Sequence, residues 1–310
     1  MNKENSLTPM LNLYPDSMGG TLKDVTQFLA SDDLKDSFGS IYILPSIYNT
    51  DLDRGFSVID YNINELFASE EDLEKIKALG LDLKLDFILN HASVLSPQFQ
   101  DLLENGQKSK YKDFFINWNE FWTGCGKMTT DGYIQPEKKY LDKMFFRKPG
   151  LPILMVRMPD GSKIPYWNTF YQKVFYDPID AQDLLKQFGM QYASAEELAD
   201  LVNKQLKENV NPADMNLGRW ATMHNEICDY LDSRCKYLGQ MDLNLKSPLV
   251  WDFYKKTLQK LAGYGAAIIR LDAFAYAPKA PGSHNFMNEP ETWNTLERVR
   301  AVSYTHLRAH

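Results

Sequence analysis

Cysteine is scarce in this sequence, and its spacing suits neither disulfides nor zinc. The three cysteines, Cys125, Cys228 and Cys235, are an odd number in 310 residues and lack the CxxC spacing of a zinc ribbon. We therefore interpret them as free thiols. His224 and Cys228 are four residues apart and would share a helix face. No second pair of metal ligands lies near them in the sequence, so packing is the simpler interpretation.

Positive charge and long apolar runs are also scarce. Lys and Arg number 34 against 41 Asp and Glu, a formal net charge of −7, which disfavours DNA, RNA and anionic membranes as partners. No stretch approaches the ~20 apolar residues that span a bilayer, and the opening residues MNKENSLTPM lack the apolar core of a signal peptide. We therefore expect a cytoplasmic protein that binds small molecules. The sequence carries no signal for an oligomeric state.

What the sequence has is a large apolar and aromatic fraction, arranged in short runs. Hydrophobic residues make up 44% and aromatic residues 13% of the chain, enough to bury a large core. Apolar runs bounded by turn residues alternate with amphipathic segments, the pattern of βα units with a parallel sheet. The predicted strands are Leu11–Tyr14, Ser40–Pro45, Leu81–His91 and Ala266–Asp272.

Helix signals lie between and after these strands. Predicted helices cover residues 21–30, follow the caps Ser69 and Ser96, and occupy Ala195–Glu208, 248–261 and Glu291–Arg300. For the helix from Ala195, Ser194 and Glu197 match a capping box.

The βα rhythm is interrupted once and then stops. Because a barrel of this type needs eight strands to close, we predict an α/β protein in which residues 1–91 and 247–301 form half of a (β/α)8 barrel. Residues 92–246 would be a long excursion after the third strand. The last residues, 302–310, read VSYTHLRAH and show no strand pattern. We expect them to be a non-native tail.

Polar residues follow each predicted strand, where such folds hold their chemistry. They are Asp16, Asp53, the pair Asn90 and His91, and the pair Arg270 and Asp272. A spacing of two places Arg270 and Asp272 on the same face of a strand. A cation beside a carboxylate keeps it ionised, as the nucleophile of a covalent glycosyl transfer must be. A structural ion pair explains the same spacing equally well.

Four segments together resemble the sucrose phosphorylase group of the α-amylase superfamily, glycoside hydrolase family 13. They are YPDS, DRGFSVIDY, DFILNH and IIRLDAFAYAPK. DxxxNH and RxDA are similar to the superfamily's first and second signature regions, and YWNTF and GQMDLN to the narrower group. The resemblance covers Leu11 to about Ala301. It implies a TIM barrel of the α-amylase type with a B domain after strand three, and it marks 174–237 as an insertion.

The resemblance also implies roles for site residues. Asp272 would be the nucleophile that forms a β-glucosyl ester, with Arg270 as its supporting cation. Asp53 and His91 would bind hydroxyls of the glucosyl ring, and Phe56 would offer an apolar platform.

The remaining matched residues surround this group. Gln240 aligns with a substrate-pocket glutamine, whereas Asn90 and Asp86 have structural roles in the motif. Tyr166, Trp167 and Phe170 would wall the pocket, although packing against the barrel explains them equally well.

The implied reaction converts sucrose and phosphate to α-D-glucose 1-phosphate and fructose by a retaining double displacement. It needs no cofactor and no metal, with inorganic phosphate as co-substrate. The acid/base glutamate and the third carboxylate of the family have no counterpart in this chain, so we expect the 310-residue chain to be inactive. Three alternatives stay open: a phosphorylase of sucrose 6'-phosphate, glucosylglycerol or glucosylglycerate, an α-glucosidase-type hydrolase, and a non-catalytic carbohydrate-binding protein.

Overall fold

A computed structural model describes residues 8–307 of the chain. Its strands, in chain order, are β1 (Met10–Leu13), β2 (Ser40–Ile43), β3 (Tyr48–Leu52), β4 (Ser57–Ile63), β5 (Asp82–Ile88), β6 (His91–Ser93), β7 (Gly126–Met128), β8 (Ile134–Pro136), β9 (Ile153–Arg157), β10 (Lys163–Trp167), β11 (Gln172–Phe175), β12 (Lys236–Asp242) and β13 (Ala266–Asp272).

The helices lie between these strands and after the last of them. In chain order they are α1 (Leu22–Leu29), α2 (Glu70–Ala78), α3 (Pro97–Asn105), α4 (Trp118–Phe121), α5 (Lys138–Leu141), α6 (Ala181–Phe188), α7 (Tyr192–Lys207), α8 (His224–Ser233), α9 (Pro248–Gly263) and α10 (Glu291–Leu307). The predicted cap of α2 is confirmed, because the Ser69 backbone N–H donates to Asp72 Oδ2 at 2.9 Å and the Asp72 N–H donates to Ser69 Oγ at 3.3 Å.

A four-stranded parallel sheet forms the centre of the fold. Its order is β1-β2-β5-β13, and its register aligns Ile41 with Leu83 and Arg270 with Asp86. Apolar side chains on β2 and β5 are buried on both faces, as expected for parallel strands covered by helices. The α/β class is confirmed, and so are the first, second and fourth predicted strands. Within residues 8–307 the sheet does not close into a barrel, and β1 and β13 are its edges.

The predicted third strand is two strands. It leaves the parallel sheet after Ile88, and His91 begins β6, which pairs antiparallel with β12 so that His91 faces Asp242. The backbone between them bonds elsewhere: Leu89 N–H donates to the Asp272 carbonyl at 3.1 Å, and the Asn90 carbonyl accepts from Leu243 N–H at 2.8 Å. The apolar run could not reveal this change of partner.

A hairpin follows β2. β3 and β4 pair antiparallel, and the turn between them holds Asp53 at φ 57° and Gly55 at φ 110°. A side chain at Gly55 would place Cβ 2.2 Å from the Ser46 nitrogen, so only glycine fits this turn. Asp53 therefore lies in the hairpin turn. The sequence had suggested a position at the end of β2, which is a different place in the fold.

Residues Gln172–Leu238 form a second compact unit with a core of its own. Residues 92–171, which the sequence placed in the excursion, belong to the same unit as the central sheet. The predicted capping box in the second unit is wrong, because α7 begins at Tyr192 and Ser194 lies inside its first turn. Glu197 pairs with Arg219 instead.

The last helix is longer than predicted. α10 starts at Glu291, as expected, but continues past Arg300 to Leu307. Part of the predicted tail therefore continues a helix, and residues 308–310 lie outside the described range. No helix in the described part of the chain is both long and apolar enough to span a membrane.

Tyrosines support the sheet next to its polar end. Tyr61 is 5% exposed, and its hydroxyl accepts a hydrogen bond from Ile88 N–H at 3.0 Å, where β5 ends. Tyr48 donates to the Asp86 carbonyl at 3.1 Å. Burial raises the pKa of both hydroxyls well above their ordinary value, so both groups stay protonated.

Substituting Tyr61→Phe should lower the free energy of unfolding by about 1–3 kcal/mol, because it leaves the buried Ile88 N–H without a partner. Urea denaturation followed by circular dichroism measures this change. Tyr171→Phe is the matched control, since the Tyr171 residue is 45% exposed. Equal stability of the two variants would show that the Tyr61 hydroxyl does not support the sheet.

Candidate functional site

A buried carboxylate at the centre of the sheet organises the site. Asp86 on β5 has 0% exposure. Its Oδ1 pairs with Arg270 Nη1 at 2.5 Å, and its Oδ2 accepts from the Tyr42 hydroxyl at 2.6 Å. Burial raises the pKa of Asp86, and the bonds from Tyr42 and Arg270 oppose that rise. Three adjacent strands are thereby joined through one carboxylate.

Arg270 also pairs with a second carboxylate, which is more exposed than Asp86. Its Nη2 lies 2.8 Å from Asp272 Oδ1, and the Asp272 side chain is 18% exposed against 0% for Asp86. Burial alone would lower the pKa of Arg270, but the bond and charge of Asp86 and the charge of Asp272 raise it overall. Asp272 ends β13, and Ala273 turns the chain away at φ 52°. The carboxylate left open to a ligand is therefore Asp272.

His91 is buried beside this pair. It is 3% exposed, its Nε2 lies 3.0 Å from the Phe56 carbonyl, and its ring lies 4.9 Å from the ring of Phe170. Burial lowers the pKa of His91, opposed by the charges of Asp242, Asp272 and Asp53. The imidazole is therefore neutral at neutral pH.

The other predicted ligand-binding residues lie at the same place. The Arg270 guanidinium carbon lies 5.5 Å from the centre of the Phe56 ring. Gln240, fully buried on β12, donates from Nε2 to Asp53 Oδ2 at 3.3 Å, and Asp53 itself is exposed. The structure thus brings Asp53, Phe56, His91, Gln240, Arg270 and Asp272 together.

Some candidates lie elsewhere. Asp16, after β1, pairs with Arg54 at 3.4 Å. Tyr166 and Trp167 are buried in the core, where they contact the rings of Phe99 and Trp118. For these two aromatics the packing interpretation holds.

Lys279 and Asp242 form a second buried ion pair, which the sequence analysis did not predict. The Lys279 side chain is 2% exposed and its Nζ lies 2.7 Å from Asp242 Oδ2. Asp242 also accepts from Asn90 Nδ2 at 2.9 Å and from the Thr169 N–H at 2.8 Å. Asp242 ends β12, and Lys279 lies in the loop after β13. Both fall inside motifs that carry the resemblance, GQMDLN and IIRLDAFAYAPK, but no sequence spacing pairs them.

The histidine–cysteine pair noted in the sequence lies on α8. Cys228 Sγ lies 3.7 Å from His224 Nδ1. Across residues 8–307, no three His, Cys, Asp or Glu side chains are grouped to hold a metal ion. The site instead combines a partly exposed carboxylate, a paired cation, a neutral imidazole and an amide. Such a group suits a polyhydroxylated ligand that reacts with a nucleophilic carboxylate.

The chain is similar to several known proteins. Residues 10–143 match the family described as alpha amylase, catalytic domain. A sucrose 6(F)-phosphate phosphorylase of Ilumatobacter coccineus is 47% identical over 95% of this chain and 46% of its own length. A sucrose phosphorylase of Streptococcus mutans is 28% identical over 95% of this chain and 45% of its own length. The chain thus spans about half the length of these curated relatives.

A solved structure is similar over the same range. The crystal structure of sucrose 6F-phosphate phosphorylase from Thermoanaerobacter thermosaccharolyticum matches with a TM-score of 0.67 at 27% identity, over 97% of this chain and 46% of that one. The resemblance predicted from the motifs is thereby confirmed: the chain is similar over nearly its whole length to members of the sucrose phosphorylase group of the α-amylase superfamily.

Proposed function

We propose that this chain forms the glucosyl-binding part of a phosphorylase of sucrose-type α-glucosides. The observation that carries the proposal is the Asp86–Arg270–Asp272 arrangement. Arg270 Nη1 is held by the buried Asp86 at 2.5 Å, while Nη2 holds Asp272 at 2.8 Å. Asp272 is thus an oriented, accessible carboxylate at the end of a strand, where barrel enzymes hold their chemistry.

The proposed reaction is a retaining double displacement. An Asp272 oxygen attacks the anomeric carbon of the glucosyl unit, the glycosidic C–O bond breaks, and the leaving hydroxyl group takes a proton from a general acid. A phosphate oxygen then attacks the same carbon and breaks the ester, which releases α-glucose 1-phosphate and frees Asp272. Inorganic phosphate is a co-substrate, and the scheme needs no cofactor.

Each remaining residue has a proposed part in holding the sugar. Asp53 and His91 bind ring hydroxyls, Gln240 orients Asp53 through its 3.3 Å bond, and Phe56 lies against a sugar face. The buried Asp86, with both oxygens engaged, does not suit the general acid. We assign that acid to no residue of this chain.

The exposed edge of the parallel sheet is evidence for a larger sheet. β13 is an edge strand, yet Ile268 on it is an apolar residue with 39% exposure. Parallel sheets normally have both faces covered. We propose that residues 1–91 and 247–301, of which 1–7 lie outside the described range, are the first half of a (β/α)8 barrel. Residues 92–246 would correspond to its B domain, with 174–237 as an insertion in it.

A substrate whose leaving group carries a phosphate is a better candidate than sucrose itself. Arg147 lies with its guanidinium carbon 6.0 Å from the centre of the Phe170 ring, which in turn contacts His91. Its neighbour Lys148 donates to Asn168 Oδ1 at 2.5 Å, and burial lowers the pKa of Lys148 to about 8. Arg147 is therefore the more accessible cation for a phosphate group. We propose sucrose 6'-phosphate, the substrate in the name of the Ilumatobacter coccineus relative.

Asp272→Asn should lower kcat by about 10⁴-fold or more, because the amide cannot form the glucosyl ester. The measurement is phosphate-dependent release of glucose 1-phosphate by a hybrid in which the C-terminal half of the Ilumatobacter coccineus relative follows Ala301. The 310-residue chain alone should release none.

The same variant should leave sucrose binding within a few-fold, as calorimetry on the isolated chain can show. Asp252→Asn, at an exposed position on α9, is the matched control and should keep the rate of the hybrid. An Asp272→Asn hybrid with an unchanged rate would exclude Asp272 as the nucleophile. Product that forms without phosphate would identify a hydrolase instead.

Arg147→Ala should weaken binding of sucrose 6'-phosphate by about 10-fold or more, since it removes a charge-assisted bond to phosphate. Binding of sucrose should change little. Calorimetry with both sugars measures the difference, and Arg298→Ala, at an exposed position on α10, is the control. An equal loss for both sugars would show that Arg147 does not read the phosphate.

A further inference from the structure

The buried pair of Lys279 and Asp242 has no part in the proposed displacement. Lys279 Nζ lies within hydrogen-bond distance of three oxygens: Asp242 Oδ2 at 2.7 Å, Asn90 Oδ1 at 2.8 Å and the Tyr276 carbonyl at 2.5 Å. All three are acceptors, and three N–H groups are needed to satisfy them. The amine is therefore the charged ammonium.

The groups bonded to Asp242 are donors, whereas those bonded to Lys279 are acceptors. Its Oδ2 accepts from Lys279, from Asn90 Nδ2 at 2.9 Å and from the Thr169 hydroxyl at 2.5 Å. Its Oδ1 accepts from the Thr169 N–H at 2.8 Å. Because every neighbour is a donor, the carboxylate is ionised and the two buried charges neutralise each other.

This pair fixes the orientation of the Asn90 amide. The Asn90 oxygen must face the ammonium, which only donates, and the Asn90 nitrogen must face the carboxylate, which only accepts. The same nitrogen lies 3.5 Å from His91 Nδ1. His91 Nδ1 therefore meets a donor and must offer its lone pair.

The opposite side of the His91 ring leads to the same assignment. Nε2 lies 3.0 Å from the Phe56 carbonyl, which only accepts, so Nε2 carries the proton. A protonated imidazole would direct an Nδ1–H at the Asn90 amino group, where it finds no acceptor.

We propose that Lys279 is a positioning residue that neutralises Asp242 and locks Asn90, and so holds His91 as the neutral imidazole with its proton on Nε2. Without the ammonium, Asn90 Oδ1 would lose its donor and the charge of Asp242 would be uncompensated. An uncompensated negative charge near His91 favours the imidazolium.

The charges around His91 make this balance sensitive. Asp242 on β12, Asp272 on β13 and Asp53 in the hairpin turn each act to raise the pKa of His91, and burial outweighs them. Lys279, in the loop after β13, is the cation bonded to Asp242. The charge of Asp242 also acts on Lys148, whose pKa it raises against the effect of burial. That His91 binds a sugar rests on the proposed function, whereas its protonation state does not.

The test is nuclear magnetic resonance of the 310-residue chain labelled with ¹⁵N-histidine. Two-bond proton–nitrogen spectra report which ring nitrogen carries the proton, and a pH series gives the titration midpoint. The His91→Gln spectrum assigns the His91 signals. We expect the Nε2–H form in the unsubstituted chain.

Two variants should move the midpoint of His91 in opposite directions. Lys279→Met should raise it by about one pH unit or more, and Asp242→Asn should lower it. Lys246→Met, which removes an exposed lysine close in sequence to Asp242, is the matched control and should leave it in place. A merely structural role would not reverse sign between the two variants.

Thermal unfolding shows whether each variant is folded. If Lys279→Met is not, the Asp242→Asn variant and the double variant, expected near the unsubstituted midpoint, decide the question. A proton on Nδ1 in the unsubstituted chain would overturn the proposal. So would shifts of the same sign, or no shift in a folded variant. Sugar binding plays no part in this readout, so the proposed function can fail separately.

Discussion

The burial of one charge at the centre of the sheet determines much of this structure. Asp86 has no exposed surface, and an ionised group in such a place must be paired and hydrogen-bonded to be tolerated. Tyr42 and Arg270 meet that need from the strands on either side. The side chains can do so only in one register, so the same contacts that stabilise the charge also align β2, β5 and β13.

The open carboxylate is a by-product of that alignment. A guanidinium has more donors than Asp86 can use, and the next residue on the same face of β13 takes the remaining amino group. The orientation of Asp272 is therefore inherited from the core and does not rely on a flexible loop. A second neutralised pair, Asp242 and Lys279, does the equivalent for His91 from the other side. Two buried networks thus support one partly exposed group of side chains.

Local patterns in the sequence were sufficient for the regular elements and for the pair on β13. Period two joined Arg270 to Asp272, and the cap at Ser69 lay beside a clear apolar stripe. The hairpin β3–β4 was missed because its strands carry polar residues and no clean alternation, and because its turn depends on close packing of Gly55 against another segment. Lys279 was missed for a similar reason: a buried lysine is defined by partners that are distant in the chain, and no spacing rule describes them.

Two residues of the first unit are bonded to each other on either side of the segment Gln172–Leu238. Gln240 N–H donates to the Tyr171 carbonyl at 3.0 Å, so the residue before Gln172–Leu238 is bonded to the second residue after it. A segment whose flanking residues are bonded can be lengthened or shortened in its interior without separating those residues. In this chain, insertions or deletions inside that segment would therefore leave the Tyr171–Gln240 bond in place, and the position of Gln240 would not depend on the segment's length.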